Sequence, residues 1–282
     1  MKRKQNRFGI LFLSNLSVAL LLTTITPSIN AEALEKTGNQ LSGLDVAQRI
    51  NARDEGVSVS RNLTMEMIDR HGKKRVRETR GFRKYYGEEK RTVIFYLTPK
   101  NVKETAFLTY DYPQANLDDD QWLYLPAMRK VRRISASDRG DYFLGTDFTY
   151  EDIKKESKVS IEDYSWKNIG EEEIDGHHCI IVETLPVNDK VAKELGYSKV
   201  RSWVDSKIWM IRQSKRWDIR GNELKTIYTR DIRLVQNIWT AYTIEVSNHK
   251  TGHTTRFLFS DINYSEGVKD NVFTQQGIRR GL

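Results

Sequence analysis

The most informative segment of the chain runs from Gln121 to Ile153 and reads QWLYLPAMRKVRRISASDRGDYFLGTDFTYEDI. It combines aromatic residues, five basic residues and a glycine turn with acidic groups, and it contains no recognisable catalytic arrangement. Its beginning, WLYL at 122–125, is apolar at successive positions, as is VIFYL at 93–97. Strands that face water on one side alternate apolar and polar residues, so these two segments predict a sheet that is covered on both faces.

Most of the remaining chain alternates with period two, which is typical of strands with one face toward water. Leu63, Met65 and Met67, for example, alternate with polar residues. Turn signals recur between the apolar runs, at His71-Gly72-Lys73, Asp175-Gly176, Arg220-Gly221-Asn222 and Lys250-Thr251-Gly252-His253. The sequence therefore predicts a succession of antiparallel hairpins with about ten or eleven strands, and twisted antiparallel sheets of that size curl or close.

A short amphipathic helix is expected at Ser42–Asp54. Leu44, Ala47 and Ile50 recur there at helical spacing, and Ser42 can cap the amino terminus. A curled sheet with an apolar concave face, covered by one or two helices, provides a surface for this helix and leaves room for a cavity. Packing of the helices on that face without any cavity accounts for the same pattern.

The amino terminus predicts export. Four basic residues among the first seven precede an apolar run over residues 8–25, and Ala31-Glu32-Ala33 then supplies the small-x-small pattern that a signal peptidase requires. We expect residues 1–33 to be removed as a signal peptide and residues 34–282 to form a single domain. In a bacterium with two membranes, that domain resides in the periplasm.

The charge balance is basic, with 46 lysines and arginines against 38 acidic residues. An exported protein is not expected to contact nucleic acid, so the excess fits anionic lipid headgroups, an acidic partner or simple solubility. Cys179 is the only cysteine, which excludes an intramolecular disulfide.

Catalytic signals are sparse, because no GxSxG, HExxH, P-loop or GxGxxG motif occurs. We therefore expect that the protein is not an enzyme and that it binds neither a cofactor nor a metal ion. The best local cluster is His177-His178-Cys179. Adjacent strand residues point to opposite faces, so the two histidines do not easily converge on a metal, and Cys179 is expected to be a small core residue.

Aromatic residues surround the glycine-containing loop of the opening stretch. Trp122, Tyr124, Phe143, Phe148 and Tyr150 are the candidates for lining a ligand pocket, with ordinary core packing as the alternative.

A basic stripe lies beside these aromatics and consists of Arg129, Lys130, Arg132, Arg133 and Arg139. It fits phosphate headgroups, and it equally fits an internal network of ion pairs. The acidic residues available for such a network are Asp138, Asp141, Asp147, Glu151 and Asp152.

Three segments carry a family resemblance: WLYLP at 122–126, RRI at 132–134 and FLGTDFTYEDI at 143–153. They resemble the outer-membrane lipoprotein-sorting family of LolA-like periplasmic proteins, and in particular the branch associated with RND-type exporters. Weaker similarities are TAFL at 105–108, WVD at 203–205 and DNVFT at 270–274. The chain departs from the resemblance at Glu104, where relatives are expected to carry glycine.

The resemblance implies a fold that is mainly β with a few helices, in which a curled, incomplete antiparallel β-barrel has helices covering its open side. It implies a monomeric carrier that shelters acyl chains of a lipid or lipoprotein in a hydrophobic cavity and moves them toward the outer membrane. The alternative is a non-transporting periplasmic accessory subunit that docks an RND-type inner-membrane exporter. A carrier must also release its cargo, so we expect a lid at Ser42–Asp54 or at the loop Ser135–Phe148.

The residues expected to contact a ligand follow from the aromatic pattern and the resemblance together. The cavity candidates are Phe95, Phe107, Trp122, Tyr124, Met128, Phe143, Phe148, Tyr150 and Trp203. The candidates for headgroup or partner contact are Arg129, Arg132 and Arg133.

Overall fold

The computed structural model describes residues 40–113, 117, 119–156 and 158–282. The predicted signal peptide, residues 1–33, lies outside the described residues. Residues Leu41–Leu282 form one compact unit. Across the described part of the chain, no helix is both long and apolar enough to span a membrane.

Within the described residues, thirteen antiparallel strands form one sheet. They are β1 (Ser58–Ile68), β2 (Lys74–Tyr86), β3 (Glu89–Thr98), β4 (Ala106–Asp111), β5 (Asp120–Leu125), β6 (Lys130–Arg133), β7 (Tyr164–Ile174), β8 (His177–Pro186), β9 (Lys199–Asp205), β10 (Ile211–Trp217), β11 (Glu223–Val235), β12 (Ile238–Asn248) and β13 (Thr254–Asn263). The order across the sheet runs from β6 back to β1, continues from β1 to β13, and then runs back to β7.

Four short α-helices accompany the sheet in the described ranges: α1 (Gly43–Asn51), α2 (Tyr150–Lys155), α3 (Asp189–Leu195) and α4 (Gln275–Arg280). Short 3-10 helices occur at Pro126–Met128, Ala136–Asp138, Phe143–Gly145 and Asp270–Phe273.

The four predicted turns all join neighbouring strands. Asp175 and Gly176, for example, connect β7 to β8 with φ values of +50° and +76°, the left-handed values that a tight hairpin needs. The expected count of about ten or eleven strands is too low. The turn between β11 and β12 forms without glycine, because Gln236 and Asn237 adopt the left-handed φ values of +49° and +65°.

The sheet has an inner face and an outer face, and β3 shows the difference. Ile94 and Tyr96 lie on the inner face, within the core cluster that also contains Phe257 of β13. Val93 and Phe95 lie on the outer face, in a separate cluster. All four side chains of β3 are buried, so this strand is covered on both faces as its sequence predicts.

Two helices cover the inner face. Val46 and Ile50 of α1 pack against Ile180 of β8. Tyr150 and Ile153 of α2 belong to the core cluster of the inner face. The outer face is covered separately, because Phe273 and Ile278 near the carboxyl terminus are fully buried against the outer cluster of β3 and β4.

The predicted first helix is confirmed in position, with one correction. Ser42 caps α1, since its Oγ accepts the Asp45 backbone N–H at 3.1 Å and the Asp45 carboxylate accepts the Ser42 backbone N–H at 2.9 Å. Leu44, expected on the buried face, is 43% exposed, and Val46 is fully buried. Leu44 and Val46 each fit a helical spacing with other apolar residues of the segment, so the sequence alone does not decide which of the two is buried.

The sheet does not close into a barrel. β6 and β7 are its two edge strands, and each pairs with one neighbour in the described chain. The expected fold class, mainly β with a curled and incomplete antiparallel barrel and a few covering helices, is confirmed.

Candidate functional site

A cavity of about 150 Å³ lies on the inner face, between β1–β3 and β10–β13, with α2 on one side. Its apolar lining includes Leu63, Ile94, Ile227, Ile244, Phe257 and Phe259. An engineered cavity of this volume in another protein holds a ligand the size of benzene, so the present cavity has room for about six carbon atoms of an acyl chain.

Asp147 fixes the loop that forms one wall of this cavity. Its buried carboxylate accepts hydrogen bonds from Thr255 Oγ1 at 2.8 Å and from Asn248 Nδ2 at 3.0 Å. Its backbone carbonyl accepts a third from Lys225 Nζ at 2.7 Å. The loop is therefore tied to β11, β12 and β13 at the same time.

Aromatic contacts hold the rest of the loop in place. Phe148 stacks on Phe257 with ring centroids 4.3 Å apart, and it lines the cavity. Phe143 lies 4.9 Å from Phe107 and 5.4 Å from Tyr150, again between ring centroids. Aromatic pairs of this kind each contribute about 0.5–1.5 kcal/mol beyond their buried area.

Asp152 anchors α2 to strands β10 and β11 of the sheet. Its carboxylate forms ion pairs with Arg216 of β10 and, at 2.9 Å, with Lys225 Nζ of β11. Burial alone would raise the pKa of Asp152. The positive charges of Arg216 and Lys225 lower it by a larger amount, so the pKa lies well below its ordinary value. The carboxylate thus remains charged at neutral pH.

Five further charged residues, with side chains at most 15% exposed, line the cavity, and we call them the arginine cluster: Arg53, Glu55, Arg61, Arg83 and Glu156. Arg83 Nη1 lies 3.5 Å from Glu55 Oε2 and 3.8 Å from Glu156 Oε2. Arg61 Nη1 lies 2.5 Å from Glu156 Oε1, and Arg53 Nη2 lies 3.4 Å from Glu55 Oε1. The side chains of Arg53 and Arg83 are only 8% and 4% exposed.

The electrostatic balance differs between the two most buried arginines. Burial lowers the pKa of Arg83, but Glu55 and Glu156 raise it more, so its pKa lies above the ordinary value. Burial also lowers the pKa of Arg53, and there the attraction of Glu55 does not compensate, while Arg83 lowers the pKa further. Arg53 is therefore the less completely neutralised cation of the two.

Several buried polar atoms of this wall lack a hydrogen-bond partner among the described residues. They include Arg53 Nε, Arg83 Nε and Thr92 Oγ1. Thr92 of β3 is directly opposite Arg83 of β2, and both residues line the cavity. A buried donor without an acceptor costs about 1–3 kcal/mol, so these groups are costly unless something else binds them.

A larger and more polar cleft of about 890 Å³ adjoins the same wall. Arg53 and Glu55 line both the cleft and the apolar cavity. The arginine cluster therefore stands at the boundary between a polar and an apolar space.

The nine predicted cavity residues lie in different parts of the structure. Phe148 lines the cavity. Phe107, Phe143 and Tyr150 lie in the core of the inner face beside it, without lining it.

The other five point away from the cavity. Three of them, Phe95, Trp122 and Tyr124, belong to the outer cluster, and Met128 is 56% exposed. Trp203 lies on the outer face of β9, where its Nε1 donates to a carboxylate oxygen of β7 at 2.6 Å. Strands that are apolar on both faces give no signal for which face encloses a cavity, which explains these placements. Ligand contact by any of the nine stays a prediction.

The three predicted contact arginines lie at the edge of the sheet. Arg132 and Arg133 are on the edge strand β6, with side chains 66% and 62% exposed. Arg132 Nη2 lies 3.8 Å from Asp138 Oδ2, and Arg133 Nη2 lies 2.6 Å from Asp120 Oδ1. Arg129 has no ion-pair partner in the described ranges.

The expected internal network is largely wrong in its partners. Arg139 Nη2 pairs with Asp163 at 3.5 Å and with Glu194 at 3.3 Å. Of the five acids expected to neutralise the stripe, Asp138 pairs with Arg132. Burial lowers the pKa of Arg139, but the charges of Glu151 and the two pairing acids raise it more. Asp147 and Asp152 are instead bound by residues of β10–β13.

Sequence reasoning missed the arginine cluster and most of the apolar lining. One signal was available: Arg61 precedes Leu63 on the same face of β1, so a charged residue interrupts a buried apolar alternation. Phe257 and Phe259 likewise alternate within a predicted strand. Assigning either pair to a cavity requires the pairing of β1 with β13, which is not a local property of the sequence.

The remaining candidate cluster has ordinary structural surroundings. Cys179 is fully buried, and burial together with nearby Asp205 raises its pKa to about 11. His178 is half-exposed, and its Nε2 lies 3.0 Å from Glu171 Oε2. No group of three or more potential metal ligands comes together in the part of the chain that the structure describes.

Comparisons with known proteins agree with this architecture. A domain from Vibrio parahaemolyticus described as a "putative outer membrane lipoprotein-sorting protein domain" is 29% identical, with a TM-score of 0.76 over 84% of this chain and 98% of that one. A DUF1329 family protein from Desulfovibrio piger is 28% identical, with a TM-score of 0.77 over 84% and 97% of the two chains. A LolA superfamily protein from Nitrosomonas europaea shares the fold at 16% identity, with a TM-score of 0.65 over 84% and 99%.

No curated protein matches the chain. A family model whose description reads "Uncharacterized protein" matches residues 88–280, which is more than half of the chain. This span includes the loop and α2 that build the cavity wall, and most of the sheet. The chain therefore belongs to the family that this model describes, and it has a LolA-like fold.

Proposed function

We propose that this protein is a periplasmic carrier that binds acyl chains of a lipid or lipoprotein in the inner-face cavity and moves them toward the outer membrane. The observation that carries the proposal is an apolar cavity on the inner face of an open LolA-like sheet. Similarity to a domain described as lipoprotein-sorting supports it. The proposal includes removal of residues 1–33 on export, a single functional domain over 34–282, and action as a monomer without a catalytic step.

The size of the cavity determines how such a carrier would work. Each buried CH₂ gains about 0.8 kcal/mol, so six carbons gain about 5 kcal/mol before the costs of ordering the ligand. That supports only weak binding. A complete acyl chain needs more room, so the walls of the cavity must separate when cargo enters.

The loop Ser135–Phe148 and α2 are the elements proposed to move. Phe148 and Ile153 face the cavity. The contacts that hold the loop are the polar groups around Asp147 and the aromatic pairs of Phe143 and Phe148. Shifting them exposes the apolar inner face without breaking a strand pair. A closed state with a small cavity and an open state with a large one provide binding and release.

Lipid identification on the purified protein tests the proposal. The chain is isolated from the periplasm without detergent, its organic extract is analysed by mass spectrometry, and its binding of a fluorescent fatty-acyl probe is titrated. A carrier yields acyl lipids in stoichiometric amounts or binds the probe saturably. Protein that is free of lipid in repeated preparations and does not bind the probe contradicts the proposal.

The exposed arginines of β6 favour a second candidate, a non-transporting accessory subunit that docks an RND-type inner-membrane exporter. Arg132 and Arg133 project from an edge strand with most of their side chains in solvent. A photo-crosslinker at position 130 of the same strand should then capture an inner-membrane protein, and replacing Arg132 and Arg133 with glutamate should abolish capture. Unchanged capture after charge reversal excludes this surface.

A further inference from the structure

The unpartnered donors of the arginine cluster belong to residues that line the inner-face cavity. Glu55 and Glu156 contact the terminal nitrogens of Arg53, Arg61 and Arg83. Those contacts leave the Nε–H groups of Arg53 and Arg83 without an acceptor among the described residues. The carboxylates of the protein therefore do not use the full hydrogen-bonding capacity of these arginines.

The charges that line the cavity do not balance. Four arginines face three carboxylates across its lining, because Arg216 and Asp152 add one charge of each sign to the cluster. Arg216 pairs with Asp152, and Arg61 pairs with Glu156. One positive charge thus remains in excess among side chains that are mostly buried, and such surroundings favour one anionic group.

The same wall offers a third polar group. The Thr92 hydroxyl is buried beside Arg83 without a partner in the described ranges, and it can donate to an anionic oxygen. Arg53 additionally borders the larger polar cleft, so a headgroup there has an approach from the polar side while its chain enters the apolar side.

We propose that the cavity is specific for amphiphiles with one anionic headgroup, such as a long-chain carboxylate. The headgroup oxygens accept hydrogen bonds from Arg53 Nε, Arg83 Nε and the Thr92 hydroxyl, and the apolar chain lies along Ile94, Ile227 and Phe257. This inference rests on the proposed acyl-binding function and adds the chemistry of the headgroup to it. The lowered pKa of Arg53, caused mainly by burial, agrees with a cation that lacks a full counter-charge.

The test compares two ligands of equal chain length. Dodecanoate and dodecanol are titrated into the full chain below the concentrations at which they aggregate, at about pH 8, where the carboxylate is ionised. Charge-assisted hydrogen bonds to a buried site predict that dodecanoate binds at least about tenfold more tightly than dodecanol. Acetate and inorganic phosphate are used as competitors, to separate an amphiphile site from a site for free anions.

Variants assign the preference to the cluster. R53Q should reduce the ratio of the two affinities to near one while leaving dodecanol binding in place, and R83Q should act in the same direction. R256Q is the control, because Arg256 lies on the outer face of β13 and pairs there with Glu245. It should leave the ratio unchanged.

Each other outcome has a distinct meaning. Equal binding of dodecanoate and dodecanol overturns the headgroup inference and leaves the acyl-binding function standing. Binding of neither ligand contradicts the acyl-binding function itself. If acetate or phosphate at equal concentration displaces dodecanoate, the site binds free anions and not amphiphiles. That result also overturns the inference. The ratio for the unmodified protein decides between these outcomes even if R53Q and R83Q do not fold.

Discussion

At the scale of single residues, Glu104 is strained in a way that a substitution can relieve. Its φ is +69°, a left-handed value that costs a residue with a Cβ about 1–2 kcal/mol and that glycine adopts freely. Glu104→Gly should therefore raise the free energy of unfolding by up to about 1 kcal/mol, because relief of strain exceeds the added flexibility of the unfolded chain. Urea denaturation measures this change.

Glu173→Gly is the control for Glu104→Gly. Glu173 is an exposed strand residue without a left-handed φ, so glycine there should lower stability by about 0.5–1 kcal/mol. Equal losses of stability in the two variants would show that the backbone at Glu104 is not strained.

Asp152 gives the protein part of its dependence on pH. Its pKa is depressed in the folded state, so its contribution is present above the ordinary carboxyl pKa and is lost as pH falls through the lower folded value. Asp152→Asn should lower the free energy of unfolding by about 3 kcal/mol at neutral pH, because Arg216 and Lys225 lose a buried partner. It should also flatten the decline of stability below about pH 4.

Denaturation curves from pH 7 down to acid conditions check the Asp152 prediction. Asp141→Asn serves as the control, because the Asp141 side chain is exposed and its replacement should leave stability close to that of the unmodified protein. If stability falls equally steeply with decreasing pH in the Asp152→Asn variant, other carboxylates cause the decline.

At the scale of elements, the docking of α1 depends on the absence of a side chain at Gly43. A Cβ there would lie 2.5 Å from the Lys167 backbone nitrogen of β7, and backbone atoms cannot move aside easily. Gly43→Ala should therefore lower the free energy of unfolding by about 1–3 kcal/mol and increase hydrogen exchange in α1. Gly267→Ala, where no heavy atom lies within 4 Å of the new Cβ, should be close to neutral.

The elements also show what the sequence could and could not predict. Turn residues such as Asp175 and Gly176 announce hairpins locally, so most strands and the first helix could be predicted. The sequence does not predict which side chains of each strand lie on the inner face. Trp122 and Leu123 are both apolar, and only the covering segments decide that Trp122 packs under α4 while Leu123 belongs to the inner core.

At the scale of the whole molecule, the cavity exists because strands from the two halves of the chain meet. The pairing of β1 with β13 brings Leu63 beside Phe259, although these residues are far apart in sequence. The arginine cluster joins β1 and β2 to the segments that follow α1 and α2 in the same way, through Arg61, Arg83, Arg53 and Glu156. No local pattern predicts such a site, and this explains why the predicted aromatic candidates mostly lie elsewhere.

The central claim is that the inner face, and not the outer face, binds acyl chains. Thr229 of β11 lines the cavity, and Thr243 of the neighbouring β12 lies on the outer face; both side chains are half-buried. The most direct measurement is a titration of a fluorescent fatty-acyl probe against Thr229→Phe, Thr243→Phe and the unmodified protein. Thr229→Phe should fill the cavity and weaken binding at least about tenfold, because a bulky ring takes the place of the acyl chain, whereas Thr243→Phe should bind the probe normally. Undiminished binding by a folded Thr229→Phe variant, or loss of binding in Thr243→Phe alone, would contradict the central claim.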